Sequence, residues 1–283
     1  MGYRNLITQG VFKDHKKNFG FSHKAGIIMP ISSLPGKYGI GSFGSEAYDF
    51  VDFLHAAGQT CWQVLPLNPT SFGDSPYQSP CSTAGNPYFI DLERLAADGL
   101  LTPSELRQHR NSSKRVDYGW LFQTRYSALR LAHSRFTPDK AYRTFVRQQS
   151  SWLEDYALFM ALKVHYGFAP WITWAQEHRD YRQAQLHKAE FSQEMGFWRW
   201  TQYAFFSQWR SLCDYAHDQG IRIIGDLAMV PMQDYLELSN QEGRMNTPAT
   251  AEGNWGWRLR PRYDTEKLRE KMLSLVTRTG RQK

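Results

Sequence analysis

Gly220-Ile221-Arg222-Ile223-Ile224-Gly225-Asp226 reads as a buried strand ending in a carboxylate, and it runs directly into a second apolar run, Leu227-Ala228-Met229-Val230-Pro231-Met232-Gln233-Asp234. No loop or helix lies between them. A segment that should separate two strands is missing from the sequence.

Working outward, Gly26 to Ile31 is a short apolar strand, and Ser45 to Ala57 repeats apolar residues at helical spacing (Ala47, Phe50, Val51, Leu54) before Gly58 as a stop. A second strand follows from Thr60 to Leu67. Strand, helix and strand make a βαβ unit, which implies a parallel sheet. The second strand feeds a long loop, Asn68 to Tyr88, rich in Gly, Pro, Ser and Asn, and a loop of that length implies function as well as connection. Helices are expected at 103–110, 120–135, 138–166 and 171–189, and Phe197 to Gln219 carries the chain back to the strand quoted first. Beyond the join, Asp234 to Arg262 is a Gly-, Asn- and Thr-rich loop, and 264–279 is an amphipathic closing helix.

This pattern divides the chain into an N-terminal arm (1–24), a first βαβ part with its loop (25–91), an inserted helical subdomain (92–196) and a last part with the remaining strands, a loop and the closing helix (197–283). A complete (β/α)₈ barrel takes about 250 residues before insertions. With 92–196 helical, too little of the 283 residues remains for eight strands. The expected fold is α/β, an incomplete TIM-type (β/α) barrel with a helical insertion subdomain.

Composition narrows the function. The aromatic fraction is 15%, with 10 Trp and 15 Tyr, which suits sugar binding because flat rings stack on the apolar faces of pyranoses. Trp152, Phe159, Trp198, Phe205 and Trp209, however, fall at helical spacing and read as a packed core stripe. The net charge of +7 comes largely from basic residues near the termini. No nucleic-acid-binding signature accompanies them, and the C-terminal ones alternate with Asp264, Glu266 and Glu270 as on a solvated helix, so no nucleic-acid partner is expected. Cys61, Cys81 and Cys213 are too few and scattered for a disulfide framework, and no signal core or membrane span is evident, so a cytoplasmic protein with no membrane partner is expected. The nine His residues show no metal-ligand spacing; no metal and no cofactor are expected.

Several motifs carry a family resemblance: Pro30-Ile31-Ser32-Ser33-Leu34-Pro35-Gly36 with Tyr38-Gly39-Ile40-Gly41, the run Pro66 to Ser79 containing Asp74-Ser75-Pro76-Tyr77, and Ala84-Gly85-Asn86-Pro87-Tyr88-Phe89-Ile90-Asp91. Arg244-Met245-Asn246-Thr247-Pro248 and Asn254-Trp255-Gly256-Trp257-Arg258 add to them, and Leu268 to Arg281 is similar to a terminal helix of the same family. Together these resemble the 4-alpha-glucanotransferases, the amylomaltases or disproportionating enzymes of glycoside hydrolase family 77. The resemblance covers both ends of the family's sequence, so an internal piece is absent.

The resemblance implies transfer of α-1,4-glucan segments between maltooligosaccharides by a retaining mechanism, in which one carboxylate attacks the anomeric carbon and a second serves as acid and base. In the family those carboxylates lie in an Arg-x-Asp motif, a Glu-Asp-Leu-Gly stretch and a His-Asp-Asn motif, all within the missing piece. The expected catalytic set of this chain is therefore empty and its activity doubtful. Lys13-Asp14-His15, Glu154-Asp155-Tyr156 and His217-Asp218-Gln219 offer substitutes in residue type but lack the strand-end context that aims a carboxylate at a substrate. The resemblance assigns glucan contact to Asp74, Ser75, Tyr77, Asp226, Asn246, Pro248 and Trp255, with Tyr77 stacking beside the cleaved bond. A non-catalytic glucan-binding remnant is the alternative.

A third reading comes from Gly39-Ile40-Gly41-Ser42-Phe43-Gly44, which fits the Gly-x-Gly-x-x-Gly of NAD-binding oxidoreductases and sits between a strand and a helix. Seven residues, Ser32 to Tyr38, separate strand from first glycine where a tight turn is needed, and the next strand ends without a ribose-binding acid. Missing neighbours also leave sheet edges exposed, which invites self-association.

Overall fold

The computed structural model describes residues 25–70, 74–113 and 115–225 together with Glu266, Lys267 and Glu270. The chain divides into two compact units, 1–226 and 227–283. In the second, Glu266, Lys267 and Glu270 are helical and exposed. The expected arm 1–24, the strand of Ala228 to Met232, the loop 234–262 and the rest of the helix 264–279 lie outside the described residues.

The first unit is built on three short parallel strands in the order β1 (Gly26–Ile28), β2 (Cys61–Gln63) and β3 (Arg222–Ile224), with Ile27, Trp62 and Ile223 in one row of the register. All three are shorter than the apolar runs that announce them. The crossover from β1 to β2 is α1 (Ser45–Ala56), whose Ala47, Val51 and Leu54 are buried. Gly58 follows at φ +69°, a left-handed turn that glycine takes at no steric cost.

Between β2 and β3 the chain is helical. The elements are α2 (Leu92–Ala97), α3 (Pro103–Gln108), α4 (Tyr118–Arg135), α5 (Lys140–Gln148), α6 (Ser150–His165), α7 (Gln176–Arg179), α8 (Tyr181–Leu186) and α9 (Ser192–Asp218). Short polar residues set many of the starts. Asp91, Asp117, Asp139 and Asp180 each accept a backbone N–H of the first turn, and Thr102 with Glu105 forms a full capping box ahead of α3.

Three expectations need correction. The helix read at 138–166 is two, broken at Gln149 (φ −100°, ψ 5°), and the break lets Tyr142 and Phe145 of α5 meet Tyr203 of α9. The helix read at 171–189 is a series of short pieces, because Trp174 and Asp180 are extended and Asp180 starts a new cap. Helix α2, hidden in sequence by its length of 6 residues, was not expected.

The long helix α9 is the spine. Its Trp198, Phe205, Trp209, Leu212 and Ala216 are buried, joining α1, Trp62 and Ile223 in one hydrophobic cluster, and Trp152 and Phe159 pack against it partly buried. The aromatic stripe is thus core, as its spacing implies. Cross-links tie α1 to α9: Tyr215 donates to Asp52, and His55 Nδ1 lies 2.8 Å from the Gln219 carbonyl oxygen.

The two faces of the sheet differ. On the face of Ile27, Trp62 and Ile223, the last two are buried at 0% and 2% exposure and Ile27 of the edge strand β1 is 39% exposed, whereas on the opposite face Ile28 and Ile224 stand 64% and 38% exposed. All-parallel sheets ordinarily have both faces covered.

Candidate functional site

Because the three strands are parallel, their C-terminal ends share one edge, and both the 29–44 and 64–91 connections leave from it. Barrels and open α/β sheets alike place their working loops there. The loop after β2 holds three of the sequence-assigned residues, Asp74, Ser75 and Tyr77, and has three distinct parts.

Its neck is closed by Asn68, whose side-chain amide donates to the carbonyls of Cys81, Ser82 and Ala84 at 3.3, 2.8 and 3.0 Å, while Asn86 N–H donates to Leu67 C=O at 2.8 Å. Such a loop, compact with its ends together, is a common carrier of function. At its tip, the Ser75 hydroxyl accepts from the Tyr77 N–H at 3.3 Å and the Ser75 carbonyl accepts from Gln78 N–H at 3.2 Å. Ser75 thus builds the turn that presents Tyr77, whose side chain is 66% exposed. Asp74 sits at φ +56°, a conformation that short polar side chains tolerate.

The carboxylate of Asp74 acts on two phenols that the sequence reading missed. Burial first, and then the Asp74 charge, push Tyr88 up to about 12 and raise Tyr118. The Tyr88 ring lies 6.2 Å from Tyr118 and 5.8 Å from Tyr126, so the three form an aromatic cluster, two members of which feel the Asp74 charge. The available signal was Asp117-Tyr118 at the start of α4, a cap followed by an aromatic on the first turn.

The return leg, Gly85 to Asp91, is held from the helices. Gln202 bonds both the N–H and C=O of Gly85, and Gln208 both those of Asp91. Arg125 of α4, 2% exposed, donates to the carbonyls of Tyr38 and Ile90 at 2.9 and 3.0 Å, joining the two loops of the working edge. Burial lowers its pKa to about 10, with the charge of Asp91 opposing that fall. Behind the leg, Leu67, Gly85, Phe205 and Trp209 line a cavity of about 10 Å³, room for about one water and none for a sugar.

Asp226, Asn246, Pro248 and Trp255 lie outside the described residues, as does Lys13-Asp14-His15. Of the other substitutes, Glu154 pairs with Arg199 and Lys188 and Asp155 accepts from Tyr181 and Gln185, while Asp218 is the last residue of α9. An Arg-x-Asp run does occur at Arg115-Val116-Asp117, where Asp117 is the cap of α4. The glycines of Gly39 to Gly44 serve the chain's own packing. A Cβ on Gly41 would lie 2.0 Å from the Ile31 carbonyl, and one on Gly44 would lie 2.3 Å from the Asp91 carboxylate. Asp91, bonded by Ser42 Oγ at 2.7 Å, thus brings negative charge to the residue preceding α1, where a dinucleotide's pyrophosphate would need to bind. Among the described residues, no group of three His, Cys, Asp or Glu is arranged to hold a metal ion, and no helix is long and apolar enough to cross a membrane.

Comparison with known proteins places this arrangement. The profile of glycoside hydrolase family 77, 4-alpha-glucanotransferase, matches residues 29–230 and 226–264, two segments that meet at the join. A 4-alpha-glucanotransferase of Clostridium butyricum is 44% identical over 216 residues, 74% of this chain and 44% of that protein. That of Thermus thermophilus is 43% identical over 221 residues, 75% of this chain and 44% of that protein. A solved amylomaltase from Streptococcus agalactiae in complex with acarbose matches with a TM-score of 0.68 and 38% identity, over 72% of this chain and 43% of that one. The chain therefore spans less than half the length of the relatives it matches.

Proposed function

This chain belongs to the 4-alpha-glucanotransferase family, and on that premise we propose that it is an incomplete (β/α) barrel that recognises α-1,4-glucan but does not transfer it. The observation that carries the reading is the Asp74–Tyr77 tip, an exposed tyrosine held by a local turn at the C-terminal edge of a parallel sheet. A maltooligosaccharide would stack on Tyr77, with Asp74 accepting from its hydroxyls. Asp226, Asn246, Pro248 and Trp255 would complete the contacts, without cofactor or metal.

Transfer needs a carboxylate nucleophile and an acid/base about 5 Å apart across the scissile bond. The family's segments for both fall in the piece missing at the Asp226–Leu227 join. The open face of Ile28 and Ile224 accords with the same missing piece, whose strands would complete the barrel around it. The sheet edges left bare invite association with a second copy. Free thiols at Cys61, Cys81 and Cys213 accord with a cytoplasmic setting.

The test is incubation of the purified, folded chain with maltotriose, in parallel with calorimetric titration of maltoheptaose. Heat of binding with unchanged maltotriose is expected. Glucose together with longer maltooligosaccharides would show that catalytic carboxylates exist elsewhere in the chain, and absence of both signals would reject glucan recognition.

A further inference from the structure

Gln202 and Gln208 of α9 are 0% and 6% exposed, in surroundings made largely of aromatic rings. A buried amide is costly unless its donors and acceptor are used. Both are used, and in the same way. Gln202 Oε1 accepts from Gly85 N–H at 2.7 Å while its Nε2 donates to Gly85 C=O at 3.0 Å. Gln208 Oε1 accepts from Asp91 N–H at 2.7 Å while its Nε2 donates to Asp91 C=O at 3.2 Å. Each amide copies the two-bond exchange that one residue of an antiparallel strand makes with its partner.

The spacing of the two clamps is matched. Both join residues 117 apart in sequence, so six positions of loop lie along six positions of helix. Six helical residues rise about 9 Å, whereas six extended ones would span about 20 Å. The 3-10 turn Pro87–Phe89, capped by the Asn86 side chain, takes up the difference. Gly85 completes the fit, because a Cβ there would lie 2.2 Å from the Phe205 ring.

We propose that Gln202 and Gln208 are positioning residues for the glucan site. They fix the return leg in register along α9, and through the Asn68 neck they set where the Asp74–Tyr77 tip stands above the sheet edge. The sugar-binding part of this assignment rests on the glucan reading of that tip, whereas the clamping is measurable without sugar.

The experiment is hydrogen–deuterium exchange on the full chain and its Q202M, Q202E, Q208M and Y77A variants, with maltoheptaose titration of each. In Q202M, exchange across 74–85 is expected to rise about tenfold while α4 and α6 keep wild-type rates, and maltoheptaose affinity is expected to fall about tenfold. Q202E keeps the shape, and burial holds its carboxyl protonated, so it still accepts from Gly85 N–H and donates its O–H to Gly85 C=O; it should give a smaller rise at the same peptides. This isosteric variant decides the matter should Q202M not fold. Q208M should loosen the Asp91 end first. Y77A should abolish binding with exchange at Gly85 unchanged. Faster exchange spread evenly over all helices would overturn the proposal in favour of a purely global packing role, as would loop exchange unaltered in every glutamine variant. If the wild-type chain fails to bind maltoheptaose, the glucan part of the assignment falls, and the exchange rates still decide whether the clamps hold the loop.

Discussion

The sheet of the first unit has a gripped side and an open side. On the first, Trp62 and Ile223 are buried against the helices and the return leg is bonded at both ends, Gly85 and Asp91, to α9. On the second, Ile28 and Ile224 are exposed. Burial and backbone satisfaction explain how the first side holds its shape. The second leaves apolar strand residues exposed among the described residues, where parallel sheets ordinarily have both faces covered. Substitutions on the two sides should therefore behave differently.

The largest effect is expected at Trp62. Its ring packs edge-on against Phe50 with centroids 5.0 Å apart, and its indole N–H donates to Met29 C=O at 2.8 Å. Trp62→Ala removes that packing and the bond to a part-buried carbonyl, and should destabilise the chain by about 3–5 kcal/mol in urea unfolding. A loss below about 1 kcal/mol would mean that the gripped side is not closed around Trp62.

Gly85→Ala comes next. The added methyl must displace the Phe205 ring or lift the leg off α9, and overpacking of this kind costs about 1–3 kcal/mol. A melting temperature within a degree of wild type would show that the leg is looser than its clamps suggest.

How much of this was legible in sequence follows from which signals are local. Helix α1, the parallel strands and the core role of Trp198, Phe205 and Trp209 follow from periodicity and stop residues. The loop and its Asp74-Ser75-Pro76-Tyr77 tip stand out through turn chemistry and the family resemblance. The clamps were invisible, because a glutamine in a long helix looks the same whether it meets water or a backbone 117 residues away. Tyr88 and Tyr118 were hidden for a related reason: tertiary packing of α4 brings them together within the field of Asp74. The broken helix at 171–189 shows the limit of periodicity, since the local caps at Trp174 and Asp180 decided it.

Acid should loosen one corner of the gripped side before the rest. His178 Nδ1 lies 2.7 Å from the Tyr166 hydroxyl, and its ring meets His165 and His187 edge to face at 5.8 and 5.3 Å. Burial first, and then the charges of His187 and His165, lower its pKa from 6.5, with Glu177 and Glu190 opposing. A lowered histidine means that the unfolded chain takes up the proton first, so stability is retained above 6.5 and lost as pH falls through that value. Protection factors in α7 and α8, corrected for the intrinsic pH dependence of amide exchange, should fall between pH 7 and 5.5, and H178Q should remove most of that fall. A pH-independent corner would mean that the histidines are solvated.

The smallest change in stability belongs to the open side, and it is the sharpest test of the contrast. Ile28→Lys puts a charge on the bare face of β1, where the side chain is 64% exposed. Exposed substitutions of this kind change stability by about 0.5 kcal/mol or less. If bare strands drive association with a second copy, light scattering should show a shift toward monomer in Ile28→Lys at unchanged melting temperature, because edge and face charges are how natural sheets resist pairing. A loss above about 2 kcal/mol would instead mean that Ile28 is covered in solution, since that much is the cost of burying an unpaired charge. Dependence of that loss on protein concentration would assign the cover to a second copy, and independence would assign it to the chain itself.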